Sequence, residues 1–110
     1  MSGITGIFHK DHRPVQLNDV GRMTHKIQHR GIDRQDVWCH GNVGLGNALL
    51  ETTPESGFEE LPYTDQEYKL TITADARIDN REELFDQLSL TNDNNKPDSF
   101  LILEAYKEWG

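Results

Sequence analysis

The chain has 110 residues, of which 11 are Lys or Arg and 19 are Asp or Glu, so its formal net charge is −8. This length allows one small domain or part of a larger one, and the acidic balance argues against a surface for nucleic acid or anionic membrane. The absence of an apolar run of about 18 residues argues against a transmembrane helix, and a single cysteine, Cys39, predicts a cytoplasmic protein without disulfides.

The first quarter of the chain is predicted to form a strand and then a helix. Residues 4–8 are short, β-branched and interrupted by glycine, which is typical of a buried strand. Apolar residues then recur at spacings of three and four, which predicts a helix that Asn18 caps and Gly31 ends. The apolar positions of this helix are Val20, Met23 and Ile27.

The middle of the chain is predicted to form a hairpin and a long surface loop. Two extended runs at 36–40 and 43–49 flank Gly41-Asn42, a pair that favours a tight turn. Residues 51–67 are rich in proline, glycine and carboxylates, which predicts a solvated loop. The carboxylates expected to face water are Glu51, Glu55, Glu59, Glu60 and Asp65.

The last third is predicted to form one strand and two helices. Residues 68–75 alternate between apolar and polar side chains, as a half-buried strand does. Asn80 and Glu83 have the spacing of a capping box at the start of a helix, and Asp98 is positioned to cap a final helix. The apolar stripe of that final helix is Leu101, Ile102, Ala105 and Trp109.

This order of elements predicts an α+β fold, with helices on one face of an antiparallel sheet. Three helices beside so few strands would leave one face of the sheet with little cover. We therefore expect residues 1–110 to be the front portion of a larger domain, or one half of an obligate assembly.

Four short segments of the chain, in this order, resemble the glutaminase domain of asparagine synthetase, a class II glutamine amidotransferase. The segments are residues 1–8, 29–33, 43–50 and 75–80. The family carries Met-Cys-Gly-Ile, His-Arg-Gly-Pro-Asp, Gly-His-x-Arg-Leu and Asn-Gly-Glu-Ile-Tyr-Asn in the same order. The resemblance implies an N-terminal-nucleophile (Ntn) αββα sandwich, of which residues 1–110 would be the first part.

Two further segments, 53–56 and 74–84, resemble the branch of asparagine-synthetase-like amide ligases that includes lasso-peptide cyclases. The implied partner is a synthetase domain, C-terminal or in a separate chain, that uses ATP and magnesium to adenylate a carboxylate for attack by an amine. The resemblance also implies glutamine or a peptide as ligand and allows a homodimer. No cofactor or metal is expected in this chain itself.

The positions that match the family's nucleophile and carboxylate clamp carry different residues here. Ser2 occupies the place of the catalytic cysteine, whose own α-amine becomes the general base once the initiator methionine is removed. A hydroxyl is a weaker nucleophile than a thiol. Leu49 occupies the place of the arginine that grips the carboxylate of glutamine, and an aliphatic side chain cannot make that charge-assisted pair.

Three more family positions bear on substrate binding. Asp75-Ala76 replaces the Asn-Gly pair of the oxyanion hole, and an ionised carboxylate donates no hydrogen bond. Arg77 replaces the acidic residue that receives the substrate amine, and Asp98 matches the second amine ligand but equally suits a helix cap. Together these changes predict that glutamine hydrolysis is lost.

Other candidates are interpreted as structural. Arg30 is expected to brace the loop beside the amino terminus, with Gly31 next to it in the family-like His29–Asp33 segment. His25 and His29 have the spacing of a metal pair on a helix but are expected to face solvent. Cys39 is expected in the core, and Gly44-x-Gly46 does not precede a helix as a dinucleotide-binding loop would.

Three functional hypotheses follow from the sequence. The first is a non-hydrolysing N-terminal domain of an amide ligase. The second is a working glutaminase that uses Ser2 and feeds ammonia to asparagine synthesis. The third is a stand-alone interaction module.

Overall fold

The computed structural model contains helices and antiparallel sheets, which confirms the predicted α+β class. The described residues are 2–51, 57–91 and 95–110. They form two compact units, the first with residues 2–51 and 60–75 and the second with residues 57–59, 76–91 and 95–110. Met1, Glu55 and the branch-specific segment 53–56 lie outside the described residues.

A three-stranded antiparallel sheet is the centre of the first unit. Its strands are β1 (Gly3–Phe8), β2 (Arg34–His40) and β3 (Val43–Leu49), arranged in the order β1-β3-β2. The predicted first strand and hairpin are therefore confirmed, but the first strand is not buried as predicted, because Ile4 and Phe8 are 52% and 64% exposed. Gly41 in the hairpin turn has a φ of +58°, a conformation that glycine adopts without steric cost.

One helix, α1 (Leu17–Lys26), packs on this sheet through glycines of β3. A Cβ at Gly44 would lie 2.5 Å from Val20 Cγ2, and one at Gly46 would lie 2.1 Å from Thr24 Oγ1. The Gly44-x-Gly46 pair is thus part of a strand, where its missing side chains admit the helix.

The ends and the buried stripe of α1 differ from the prediction. Gln16, not Asn18, is the N-cap, because its backbone is extended and its carbonyl accepts the first helical N–H groups. The helix ends at Lys26, and a 3₁₀ turn (Gln28–Arg30) precedes Gly31.

Thr24 is only 2% exposed, whereas the predicted core residue Met23 is 37% exposed. The Thr24 hydroxyl fits here because it donates to the Val20 carbonyl and lies 2.9 Å from the Thr5 hydroxyl.

A second, two-stranded sheet occupies part of the segment predicted as a loop. Strand β4 (Tyr63–Asp65) pairs with β5 (Leu70–Ile72), and the hydroxyls of Thr64 and Thr71 face each other at 3.0 Å. The predicted strand over 68–75 is shorter than expected, since Lys69 has a φ of +55° and belongs to the turn.

The second unit contains α2 (Arg81–Gln87) and α3 (Asp98–Trp109). Helix α2 begins after Asn80, as predicted, but the Asn80 amide donates to the Glu83 carboxylate and makes no side-chain bond to the backbone. The prediction that Asp98 caps α3 is wrong: Pro97 is the N-cap and Asp98 is the first helical residue.

The buried side chains of α3 also differ from the predicted stripe. They are Asp98, Ser99, Leu101 and Leu103. Trp109, predicted to lie on the apolar stripe, is 55% exposed.

Glu59, which is predicted to face water in a loop, instead forms hydrogen bonds with the start of α3. Glu59 is 8% exposed, and its carboxylate accepts both the backbone N–H and the hydroxyl of Ser99. The prediction fails because the partner is 40 residues away in sequence. A carboxylate at this place also interacts favourably with the positive end of the helix.

We expect Glu59→Gln to lower the free energy of unfolding of the second unit by about 1–3 kcal/mol, since a charged acceptor is replaced by an amide that cannot accept both bonds at equal strength. Amide hydrogen exchange along α3 measures this change. Glu60→Gln is the matched control, because Glu60 is exposed and the substitution removes the same charge. Equal protection of α3 in the two variants would contradict the capping role of Glu59.

Candidate functional site

Ser2 lies directly before β1, and its hydroxyl is hydrogen-bonded to Leu50, the residue that follows β3. It is 7% exposed; its Oγ accepts the Leu50 N–H at 2.8 Å and donates to the Leu50 carbonyl at 3.5 Å. Neither of these backbone groups is a base that could take the hydroxyl proton. The two hydrogen bonds therefore fix the position of the Ser2 side chain without activating it as a nucleophile.

The segment 29–33 lies against both Ser2 and β3. Arg30 Nε donates to the Ser2 carbonyl at 3.4 Å. A Cβ at Gly31 would lie 2.1 Å from the backbone carbon and oxygen of Ala48, so this loop approaches β3 too closely to admit a side chain at this position. Asp33 completes the junction: its N–H donates to the Leu49 carbonyl at 3.0 Å, and its carboxylate accepts the Glu51 N–H at 2.7 Å.

Leu49 is the last residue of β3 and is 7% exposed. In the β2–β3 register it lies opposite Arg34, and continuation of the β1–β3 register by one residue places Ser2 on its other side. Ser2, Leu49 and Arg34 thus form one row across the sheet. A buried aliphatic side chain stands in the middle of this row, where the resemblance implies a guanidinium.

The segment that leads to Asp75 is fixed by Asn47, which is 1% exposed. The Asn47 amide donates to the Thr73 hydroxyl at 3.2 Å and to the Ala74 carbonyl at 3.1 Å, and the Thr73 hydroxyl donates to the Gly46 carbonyl. Asp75 follows this anchored segment and is exposed. While ionised, its carboxylate can accept hydrogen bonds but cannot donate one to a developing oxyanion.

The remaining predicted site residues belong to the second unit. Ala76 and Arg77 are both exposed, and Arg77 Nε lies 3.2 Å from the Asp79 carboxylate. Asp98 is 6% exposed; it accepts the Ile78 N–H at 3.1 Å and forms an ion pair with Arg81. The carboxylate of Asp98 is thus part of an internal network.

In the first unit, the structure brings four of the predicted residues together at the start of β1 and the end of β3. These are Ser2, Arg30, Gly31 and Leu49. Sequence reasoning missed three residues with large roles, Asn47, Arg34 and Arg81. Asn47 could have been suspected as a polar residue between glycine and alanine in an apolar strand, whereas only the strand register indicates Arg34.

The other candidates do not form a site among the described residues. His25 and His29 are exposed, and Cys39 is half-buried on the α1-facing side of β2, opposite Gly44. Over residues 2–51, 57–91 and 95–110, no three or more His, Cys, Asp or Glu side chains are placed to hold a metal ion. None of the helices described is both long and apolar enough to traverse a bilayer.

Comparison with known proteins gives one match. The family model described as a glutamine amidotransferase domain matches residues 1–110, the whole chain. No curated protein and no solved structure matches it. The α+β arrangement of the chain is compatible with a part of an Ntn-type glutamine amidotransferase domain.

Proposed function

This chain belongs to the glutamine amidotransferase domain family, and from that premise we propose that it is a glutaminase-like domain in which glutamine hydrolysis is lost or impaired. We propose further that it serves an asparagine-synthetase-like amide ligase. The observation that carries the loss of hydrolysis is the row at the end of the sheet. There the buried Ser2 hydroxyl is bonded to the backbone of Leu50, and Leu49 supplies no charge beside it.

The chemistry of acyl transfer supports this proposal. An N-terminal serine needs a base, which in the family is its own α-amine, and the two bonds to Leu50 supply none. At the position that the resemblance assigns to the carboxylate clamp, Leu49 carries no positive charge. Loss of one oxyanion donor lowers turnover by about 100–1,000-fold, and the resemblance assigns Asp75-Ala76 to the donor position.

The charge reversal at Arg77 adds to this mismatch. The resemblance assigns this position to a carboxylate that receives the substrate amine, and a guanidinium repels a cationic amine. Arg77 is paired with Asp79 on the surface of its unit. A substrate with a free α-amino group therefore meets the wrong sign of charge at this position.

We assign the use of ATP and magnesium to a synthetase partner, either C-terminal in the same chain or separate, which would adenylate a carboxylate. The coding sequence that follows Gly110 tests this assignment. A Ser-Gly-Gly-x-Asp pyrophosphate-binding loop there would support it, whereas a stop codon without a neighbouring ligase gene would favour a stand-alone interaction module.

The hydrolytic part is tested by glutamate release from glutamine, measured for the chain and for Ser2→Ala, with the intact mass recorded to establish whether Met1 is retained. We expect both proteins to give the same background rate. We also expect Ser2→Cys to remain inactive, because a better nucleophile does not restore the oxyanion donors that the resemblance assigns to Asp75-Ala76.

Glutamate release that depends on Ser2 would overturn the proposal and establish a working glutaminase. A positive control is the chain with five family residues restored: Ser2→Cys, Leu49→Arg, Asp75→Asn, Ala76→Gly and Arg77→Glu. Activity in this variant and not in Ser2→Cys alone would assign the loss to the binding residues.

A further inference from the structure

Arg34 places a cationic side chain next to Leu49, the position at which the family's arginine is absent. Its backbone lies directly opposite Leu49 in the β2–β3 register, so both side chains leave the same face of the sheet. Adjacent strands are about 4.8 Å apart, which puts Arg34 two strand spacings, or about 10 Å, from Ser2. A ligand the size of an amino acid spans that gap when the long arginine side chain extends toward it.

The surroundings of Arg34 favour carboxylate binding. Its guanidinium lies 3.6 Å from the Glu51 carboxylate, and the side chains of the pair are 42% and 44% exposed. Glu51 thus already presents a carboxylate to this guanidinium. A half-exposed pair at this separation is weak, so an external carboxylate can exchange with it.

Arg34 also differs from an ordinary surface arginine of the same unit. Arg22 on α1 pairs with Asp19, and its side chain is 77% exposed. Arg34 is less exposed and adjoins Leu49, which is 7% exposed. The Arg34 guanidinium is therefore less hydrated than that of Arg22, which favours a carboxylate at Arg34 over one at Arg22.

We propose that Arg34 is the carboxylate-binding residue of this domain and supplies, from the neighbouring strand, the positive charge that Leu49 does not. The ligand class is a small molecule with a free carboxylate, a free amino acid above all. This inference rests on the proposed function for the location of the site at the end of the sheet. It differs from that function in concerning binding rather than hydrolysis.

The test is a titration of the chain with L-glutamine, followed by the backbone amide shifts of Gly3, Leu49 and Leu50 and the Arg34 side-chain Nε–H signal. We expect saturable shifts that Arg34→Gln weakens by about tenfold, the loss of one charge-assisted contact. Glu51→Gln should tighten binding, because it removes the competing carboxylate. Arg22→Gln is the matched control and should leave the affinity unchanged.

Two further probes define the ligand. Glutamine with its carboxylate converted to an amide should not bind, and a short peptide with a free carboxyl terminus distinguishes a peptide ligand from a free amino acid by its relative affinity. Absence of saturable shifts, equal binding of the amide, or equal losses in Arg34→Gln and Arg22→Gln would each overturn the proposal.

The outcomes for Arg34 and for hydrolysis are separable. Arg34-dependent binding together with Ser2-dependent glutamate release would retain this inference and reject the loss of hydrolysis. The absence of both binding and glutamate release would reject the inference about Arg34 and retain the loss of hydrolysis.

Discussion

Gly31→Ala is expected to destabilise the first unit by about 3 kcal/mol or more. The new Cβ would lie 2.1 Å from the carbonyl carbon and oxygen of Ala48 and 2.5 Å from the Leu49 nitrogen. These are backbone atoms of the central strand, so no side-chain rotation can relieve the clash. The φ of Gly31 is −146°, which any residue can adopt, so the effect is one of space alone.

Urea unfolding followed by Trp38 fluorescence measures this effect, because Trp38 lies in β2 of the same unit. A Trp109→Phe background removes the only other tryptophan. Gly21→Ala is the matched control: a Cβ at Gly21, inside α1, meets nothing within 4 Å. It should stabilise the protein by about 0.5–1 kcal/mol. A loss of stability for Gly31→Ala with a gain for Gly21→Ala would show that glycine is required where residues 29–33 pack against β3. A loss below about 1 kcal/mol for Gly31→Ala would contradict this requirement.

Asp98→Asn is expected to destabilise the second unit by about 3–5 kcal/mol, because it leaves the Arg81 guanidinium buried without a counter-charge. The side chains of this pair are only 14% and 7% exposed. The same carboxylate also accepts the Ile78 N–H, so Asp98 links α3 to the residues that precede α2. Chemical denaturation with hydrogen exchange along α2 and α3 measures the loss.

Asp79→Asn is the control for Asp98, since Asp79 pairs with Arg77 in the same unit but both side chains are more than 75% exposed. We expect it to change stability by less than about 1 kcal/mol, as solvent-exposed ion pairs generally do. A double variant, Arg81→Met with Asp98→Leu, should recover much of the stability lost in Asp98→Asn, because apolar replacement of a buried pair avoids the unpaired charge. Similar losses in Asp98→Asn and Asp79→Asn would show that the buried pair has no special role.

The Asp98 prediction also bears on the family-derived role of this residue. The resemblance assigns Asp98 to the substrate amine, and in this chain its two oxygens already bind Ile78 and Arg81. If Asp98→Asn unfolds the second unit, activity measurements on that variant carry no information about ligand binding. Ligand tests are therefore better placed on Arg34 and Glu51, whose side chains are half-exposed.

Several features of this protein could be read from the sequence because their signals are local. The first strand, the hairpin with Gly41 in its turn and the start of α2 after Asn80 all depend on residues close together in the chain. The family match over residues 1–110 agrees with the glutamine amidotransferase part of the resemblance. The substitutions at Ser2 and Leu49 are likewise visible in the sequence itself.

Other features were decided only when distant segments packed together. Thr24 is buried, and the predicted Met23 is not, because two glycines of β3 let α1 pack closely on that side. Glu59 accepts a hydrogen bond from Ser99 at the start of α3, 40 residues away in the sequence. The position of Arg34 opposite Leu49 depends on the register of β2 against β3. A shift of β2 by one residue would move the Arg34 side chain to the other face of the sheet. Sequence patterns report which side chains a local segment presents, but hydrogen bonds and ion pairs form between whichever groups the tertiary fold brings within about 3 Å of each other.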